Sequence, residues 1–281
     1  MQLTFEQLEF YTSNGFVLLP GCFSDAEVLA LKAQLPALFA EDTPSRVVEN
    51  TGGVRSVYGS HTTNEVLRRL SRHPKIVNPA MQILDDQVYV YQFKINAKAA
   101  FSGDIWEWHQ DYVFWLKEDN LPSARVINAV IFLDEVNEFN GPLFLIPGSQ
   151  KEGMVDVAAH DAPGSSSAEG EQNSADPNRP SWLSNLTADL KYSLSRNVVA
   201  GLVSKYGIVA PKGAPGTVLF FDCNLVHGST NNISPFDRNI ILVTYNSITN
   251  VPVLTEKSRP DFLVSRDTRP IISRLDDAAL V

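Results

Sequence analysis

The stretch WEWHQDYVFW, residues 106–115, carries two side chains able to bind a metal, His109 and Asp111, one residue apart among aromatics. On a strand, residues i and i+2 point to the same face, so this spacing predicts a strand that offers both to one ion. A third ligand must come from elsewhere, and His227 in LVHGS, at the end of a further predicted strand, supplies it. Two histidines and one carboxylate on one face of an octahedron leave three positions free, which suits non-haem Fe(II) oxygenases that must also take a co-substrate and dioxygen. The same residues could host catalytic zinc, and His109 could equally be a core histidine bonded to Asp111. Arg238, in SPFDRNIILVTYN, narrows the choice. A chain that leaves His227, turns and returns brings this arginine back to the same place. Its planar fork suits a carboxylate. Together the four residues match the needs of 2-oxoglutarate: its 1-carboxylate and keto oxygen chelate iron, and its distal carboxylate requires a buried cation. Ser229 could add a hydroxyl to that carboxylate.

The elements that must position these residues can be read from periodicity and punctuation. Thr4 and Gln7 stand in capping-box spacing before a helix that Gly15 ends, and Ser24 and Glu27 repeat the pattern before a second helix interrupted near Pro36. NEVLRRLSRHPKIVNPAMQIL predicts a third helical region, broken around Pro74 and Pro79. Strand signals then dominate. QVYVYQFKINAK alternates Val88, Val90, Gln92, Lys94 and Asn96 against Tyr89, Tyr91, Phe93 and Ile95. RVINAVIFLDEV is an apolar run suited to a strand covered on both faces, and FVLLP, GPLFLIPGS, GTVLFFDCNLVHGS and RNIILVTYNSI supply more strands. Helices first and short strands after predict a mostly β fold with flanking helices, a jelly roll beneath an N-terminal helical layer, with residues 1–281 as a single domain. Residues 158–181, AAHDAPGSSSAEGEQNSADPNRPS, have no apolar periodicity and predict a disordered insertion or a lid.

Composition excludes some functions. The 281 residues are 44% hydrophobic and 20% charged with a net charge of -9, which disfavours nonspecific nucleic-acid binding because that needs a basic face. No run reaches the ~18 apolar residues a membrane span needs, so no membrane partner is expected. The opening MQLTFEQLEF has no basic region followed by an apolar run, so no signal peptide is expected. Cys22 and Cys223 are too far apart in sequence to suggest a metal motif. These features point to a cytoplasmic protein; the oligomeric state is not legible.

On YQFKIN, WHQDYVFW, NGPLFLIPGS and VHGS with the later Arg238 and YNS, the chain resembles the phytanoyl-CoA dioxygenase superfamily of Fe(II)/2-oxoglutarate oxygenases, including its ectoine hydroxylases. A further resemblance, to bacterial hydroxylases that act on free leucine at its δ-carbon in nonribosomal peptide pathways, runs from MQLT through VYGSHT, EFNGP and NISPF to RDTRPIISR. It is weakest over residues 155–205. The resemblance implies a double-stranded β-helix of the cupin-like kind, iron ligands at His109, Asp111 and His227, and a distal-carboxylate site at Arg238 and Ser229. It also implies a cofactor-side strand face bearing Gln92, Lys94 and Asn96, and Trp115 near the reaction centre. Lys94 stands where ectoine hydroxylases carry arginine.

The implied reaction couples decarboxylation of 2-oxoglutarate, with dioxygen, to hydroxylation of an unactivated C–H bond. Family halogenases replace the aspartate ligand with a small residue; Asp111 is present here, so hydroxylation is expected. A free amino acid also needs a cation for its carboxylate and an acceptor for its ammonium. VRSVYGSHT offers Arg55, Tyr58 and His61, and SRDTRP offers Arg266, Asp267 and Arg269. Arg266 with Asp267 could form a zwitterion clamp completed by His61 or Tyr58. Phe114, Val113 and Ile127 are candidates for the aliphatic wall. The leading expectation is a small-molecule substrate, a leucine-like free amino acid. Ectoine or proline is the neighbouring alternative, and a non-catalytic ligand-binding β-helix is the alternative from another class.

Overall fold

The computed structural model describes residues 1–155, 182, 186, 190–256, 258–272, 279 and 280. The expected insertion or lid at 158–181 lies outside the described residues. Seven strands form the larger sheet: β1 (Phe16–Leu19), β2 (Arg46–Val48), β3 (Val54–Tyr58), β4 (Val88–Lys98), β6 (Val126–Phe132), β8 (Val218–Asp222) and β10 (Arg238–Ser247). Their order is β1-β8-β6-β10-β4-β3-β2, and every neighbouring pair is antiparallel. A smaller sheet runs β5 (Trp106–His109), β9 (His227–Ser229), β7 (Leu143–Leu145). The two sheets enclose an apolar layer in which Val130, Leu219, Phe221, Ile240 and Leu242 of the larger sheet meet Leu143 and Leu145 of β7. This is the expected double-stranded β-helix.

The opposite face of the larger sheet is closed by helices α1 (Phe5–Asn14), α2 (Asp25–Lys32), α3 (Leu35–Ala40), α4 (Glu65–Arg72) and α5 (Pro74–Leu84). Leu31, Leu67, Leu70, Ile76 and Val77 pack there on Phe93, Ile95, Ile127, Ile131, Phe220 and Ile241. Both predicted capping boxes form, Thr4 with Gln7 and Ser24 with Glu27, and Gly15 ends α1 at φ 78°. Such caps satisfy N–H groups that have no partner within the helix. Two further helices, α6 (Asp111–Asp119) and α7 (Arg196–Tyr206), lie later in the chain.

Four expectations need correction. The strand carrying His109 stops there, and Asp111 opens α6 instead of continuing β5; a carboxylate in the first turn of a helix is favoured by its macrodipole. GTVLFFDCNLVHGS is not one strand. It breaks after Asp222 and crosses to the smaller sheet, so His227 begins β9. The break around Pro79 does not occur. Pro79 sits buried inside α5 among Ile76, Val77 and Ala80, where apolar burial offsets a backbone cost of ~3 kcal/mol. The alternation of β4 is also interrupted. Its pairing with β10 shifts between Thr244 and Tyr245, where Thr244 faces Gln92 and Tyr245 faces Val90. The extra residue, Tyr91, is a bulge, and bulges reverse which face later residues occupy. Tyr89 and Tyr91 therefore join the same inner side as Gln92, Lys94 and Asn96, while Val88, Phe93 and Ile95 face the helices. The hairpin β2–β3 was not foreseen.

Ile76 is fully buried between α5 and the sheet. Truncating it should show how far the helical layer supports the fold: Ile76→Ala is expected to lower unfolding free energy by ~2–5 kcal/mol, read from urea midpoints.

Candidate active site

His109 at the end of β5 and His227 at the start of β9 are register partners across the smaller sheet, and their ring centroids lie 4.2 Å apart. Asp111, the first residue of α6, turns back towards them. Its carboxylate oxygens lie 3.6 Å from His109 Nε2 and 3.8 Å from His227 Nε2. One donor atom from each of the three falls within 4.8 Å of the others, and all three residues are buried. The imidazoles are oriented by backbone. His109 Nδ1–H donates to Glu107 O at 2.6 Å and His227 Nδ1–H to Leu225 O at 2.9 Å. A carbonyl can only accept, so each Nδ1 carries a proton, and each Nε2 is the ring nitrogen that faces the cluster. Burial, with His109 nearby, pushes His227 down to about 4, so its ring is neutral at ordinary pH. Burial alone would raise the Asp111 carboxyl; His227, Lys94 and His109 outweigh it and hold it below the usual carboxylate range. A neutral imidazole at His227 and an ionised carboxylate at Asp111 are the protonation states a divalent ion requires of such ligands.

Asp111 is anchored by a residue that sequence analysis did not single out. Asn128 on β6 donates Nδ2–H to Asp111 Oδ2 at 2.8 Å, and its own Oδ1 accepts from Thr244 Oγ1 on β10 at 2.7 Å. A lone polar residue inside the apolar run VINAVIF was the available signal.

Two adjoining cavities share the cluster. The first is lined by His109, His227, Lys94, Asn96, Ser229 and Arg238, with Leu143, Phe221, Ile240 and Leu242 as apolar walls. Arg238 is buried at 2% exposure and forms no ion pair among the described residues. Its Nη2–H donates to Gly141 O at 2.5 Å, and burial pulls its pKa down to about 10, which leaves it a cation. Among the described residues Ser229 Oγ and Asn96 Oδ1 are buried without a hydrogen-bond partner. Unpaired buried polar atoms are costly, and a cation with a free hydroxyl donor beside an apolar channel fits a dicarboxylate reaching from the metal cluster, while Asn96 Oδ1 can only accept. The residues present thus fit both iron and 2-oxoglutarate.

The second cavity is lined by His109, Asp111, Tyr58, Gln92, Lys94 and Arg259, with Trp106, Phe114, Trp115, Leu186 and Leu190 around them. Gln92 donates Nε2–H to Leu263 O at 2.8 Å, which fixes the amide and separates it from the cofactor-side pair Lys94 and Asn96. Trp115 is buried edge-to-face against Tyr91. Of the three residues considered for an aliphatic wall, only Phe114 lines the cavity; Ile127 faces the helices and Val113 is buried behind.

The expected zwitterion clamp does not form. Arg266 donates to Val264 O and Arg259 O, while the Asp267 carboxylate pairs with Arg269 at 2.6 Å on an exposed segment. His61 stacks on Phe93 with centroids 5.0 Å apart, and Phe93 belongs to the helix-side face. The sheet therefore separates His61 from the metal cluster. Instead, Arg259 reaches the second cavity, held by Asp119 through Nε at 2.8 Å and Nη2 at 2.6 Å. Nη1 has no partner among the described residues. Asp119 also accepts from Tyr91 Oη–H.

This fold and this triad define the class of non-haem iron, 2-oxoglutarate-dependent oxygenases. The family model described as phytanoyl-CoA dioxygenase (PhyH) matches residues 11–240, and the chain belongs to that family. It is 38% identical over 263 residues, 93% of this chain and 92% of the relative, to an L-proline trans-4-hydroxylase of Streptomyces griseoviridis. It is 34% identical to the ectoine dioxygenase of Bordetella bronchiseptica over 99% of this chain and 88% of that protein. Among solved structures, EctD from S. alaskensis with 2-oxoglutarate and 5-hydroxyectoine superposes with a TM-score of 0.77 at 29% identity, covering 96% of this chain and 86% of that one. The same protein with bound Fe gives a TM-score of 0.76 at 29% identity, covering 97% and 87%. Among the described residues no helix is long and apolar enough to cross a membrane.

The Asn128 contact can be tested without turnover. Asn128→Ala leaves the three ligands in place but frees Asp111, and Co(II) affinity, followed by the metal's visible absorption, is expected to fall ~10–100-fold.

Proposed function

We propose that the chain hydroxylates a free, leucine-like amino acid, at the terminal δ-carbon, using Fe(II), 2-oxoglutarate and dioxygen. The coarser statement, an Fe(II)/2-oxoglutarate-dependent hydroxylase of a small amino-acid-like substrate, holds on the family and its relatives. The observation that carries the finer reading is the second cavity: polar groups at one side, an aromatic and aliphatic lining at the other, and the metal cluster opening into it. Arg259 Nη1 is the candidate cation for the substrate carboxylate, and Gln92 Oε1 and Tyr58 are candidate acceptors for its ammonium. Phe114, Trp115, Leu186 and Leu190 would enclose an aliphatic side chain.

In this reading His109, Asp111 and His227 hold iron, and Arg238 and Ser229 receive the distal carboxylate of 2-oxoglutarate, with Lys94 and Asn96 beside them. With iron bound, dioxygen would be the oxidant: one of its oxygen atoms would enter the C–H bond and the other the succinate formed as 2-oxoglutarate loses CO2. The chain's own residues bind and orient: the carbon held nearest the metal's free position is the one attacked. No side-chain nucleophile is required. Proline is a second reading, favoured by the 38% identical relative named for that substrate; it is a small zwitterion with an apolar pyrrolidine body that suits the same lining.

The test is succinate release by anaerobically iron-loaded protein, given 2-oxoglutarate and air, across free amino acids and ectoine, with mass spectrometry for a product gaining one oxygen. Leucine-like substrates are expected to couple, and Asp111→Ala to abolish product. A response confined to proline or ectoine would overturn the leucine reading while leaving the centre intact. Arg259→Lys is expected to raise the amino-acid KM about tenfold or more, as loss of a forked, charge-assisted contact would, with the 2-oxoglutarate KM unchanged.

A further inference from the structure

Three side chains line both cavities: His109, Lys94 and Trp106. Trp106 is the large flat one, so its ring is a wall between the two spaces. Nothing in its own strand fixes that wall firmly. The pairing of β5 with β9 is irregular between Trp106 and His109, and Trp106 is only half-buried. Its support comes from the opposite edge of the larger sheet, through the β2–β3 hairpin.

Arg55 on β3 lies with its guanidinium carbon 3.8 Å from the centroid of the Trp106 ring. The same guanidinium donates Nη2–H to Ile105 O at 2.8 Å, the carbonyl just before Trp106. Its Nη1 pairs with Glu49, at the end of the hairpin turn, at 3.0 and 3.2 Å to the two carboxylate oxygens. Glu49 Oε1 in turn accepts the Asp104 N–H at 3.4 Å. The pair is buried, at 1% and 8% side-chain exposure. A buried ion pair rarely stabilises a fold more than apolar residues of the same size would. Its geometry here grips both the backbone before Trp106 and the face of its ring.

We infer that Arg55, held by Glu49, is a positioning residue: it fixes the Trp106 ring as the wall that separates the 2-oxo acid from the amino acid and keeps each aligned with the metal. The inference rests on the proposed assignment of the two cavities. A planar guanidinium can stack, donate to Ile105 and pair with Glu49 at once; the point charge of an ammonium cannot do all three. With the wall loosened, 2-oxoglutarate is held less firmly, and its decarboxylation runs on without a correctly placed C–H bond.

The test is a double-mutant cycle between Arg55→Lys and Trp106→Leu, with folding checked by circular dichroism. The first readout is 2-oxoglutarate affinity by calorimetry on Mn(II)-loaded protein, which needs no amino-acid substrate. The second is the ratio of hydroxylated product to succinate with whichever substrate the wild type accepts. In the wild-type background Arg55→Lys is expected to weaken 2-oxoglutarate binding by ~3- to 10-fold, the scale of a shielded cation–π contact, and to lower the product-to-succinate ratio. In the Trp106→Leu background it is expected to change neither further. Equal effects in both backgrounds, or no effect in the first, would overturn the inference. Where Arg55→Lys fails to fold, the neutral pair Glu49→Gln/Arg55→Gln takes its place in the cycle with the same expectations. A wild type that binds 2-oxoglutarate but hydroxylates no amino acid would defeat the proposed function, while the calorimetric cycle would still decide this one.

Discussion

An ionised carboxylate away from water must be surrounded by donors or positive charge, and Asp111 sets that requirement for the whole centre. It cannot sit on the strand with His109, because the next strand position would not bring its oxygens to both imidazoles and to Asn128 together. Opening α6 at this residue bends the chain inward instead. Asn128 and Thr244 then carry the hydrogen-bond chain across β6 and β10, two adjacent central strands. The order of strands in the larger sheet is in this sense part of the metal site. A slip of either strand by one residue would turn Asn128 or Thr244 to the helix side and leave the carboxylate bare.

Buried arginines divide by partner. Arg55 has Glu49, and Arg259 has the fully buried Asp119, whose side-chain hydrogen bonds hold that guanidinium's pKa above its usual value despite burial. Arg238 has only backbone carbonyls among the described residues, and burial pulls its pKa down. Arg55 and Arg259 each have a carboxylate within the fold, though Arg259 lines the second cavity. Arg238 has none among the described residues, so the first cavity holds a positive charge that the fold leaves unpaired, and the second holds one that is paired.

Much of the centre was legible in sequence because ligand chemistry restricts residue types severely. His109, Asp111, His227 and Arg238 stand out by identity, and the β-rich core by alternation. The residues that sequence reading missed are defined by partners far along the chain. Arg259 lies in a short segment before Pro260 with no periodicity, and its partner Asp119 is 140 residues away. Arg266 and Asp267 have equally suitable chemistry and stand beside each other, yet the fold pairs each elsewhere. His61 failed for a different reason. Nothing local shows on which side of a sheet a neighbouring loop will pack, and a strand whose alternation is broken by a bulge hides the answer.

That bulge divides β4 into two functional lengths. Before it, Tyr89 and Tyr91 pack into the apolar cluster around Trp115; after it, Gln92 lines the second cavity, Lys94 both cavities and Asn96 the first. A substitution in the tyrosine length therefore reaches the second cavity only through the packing behind it, whereas one at Gln92, Lys94 or Asn96 alters a cavity wall directly. The single extra residue of the bulge thus separates the part of one strand that shapes the core from the part that meets whatever is bound.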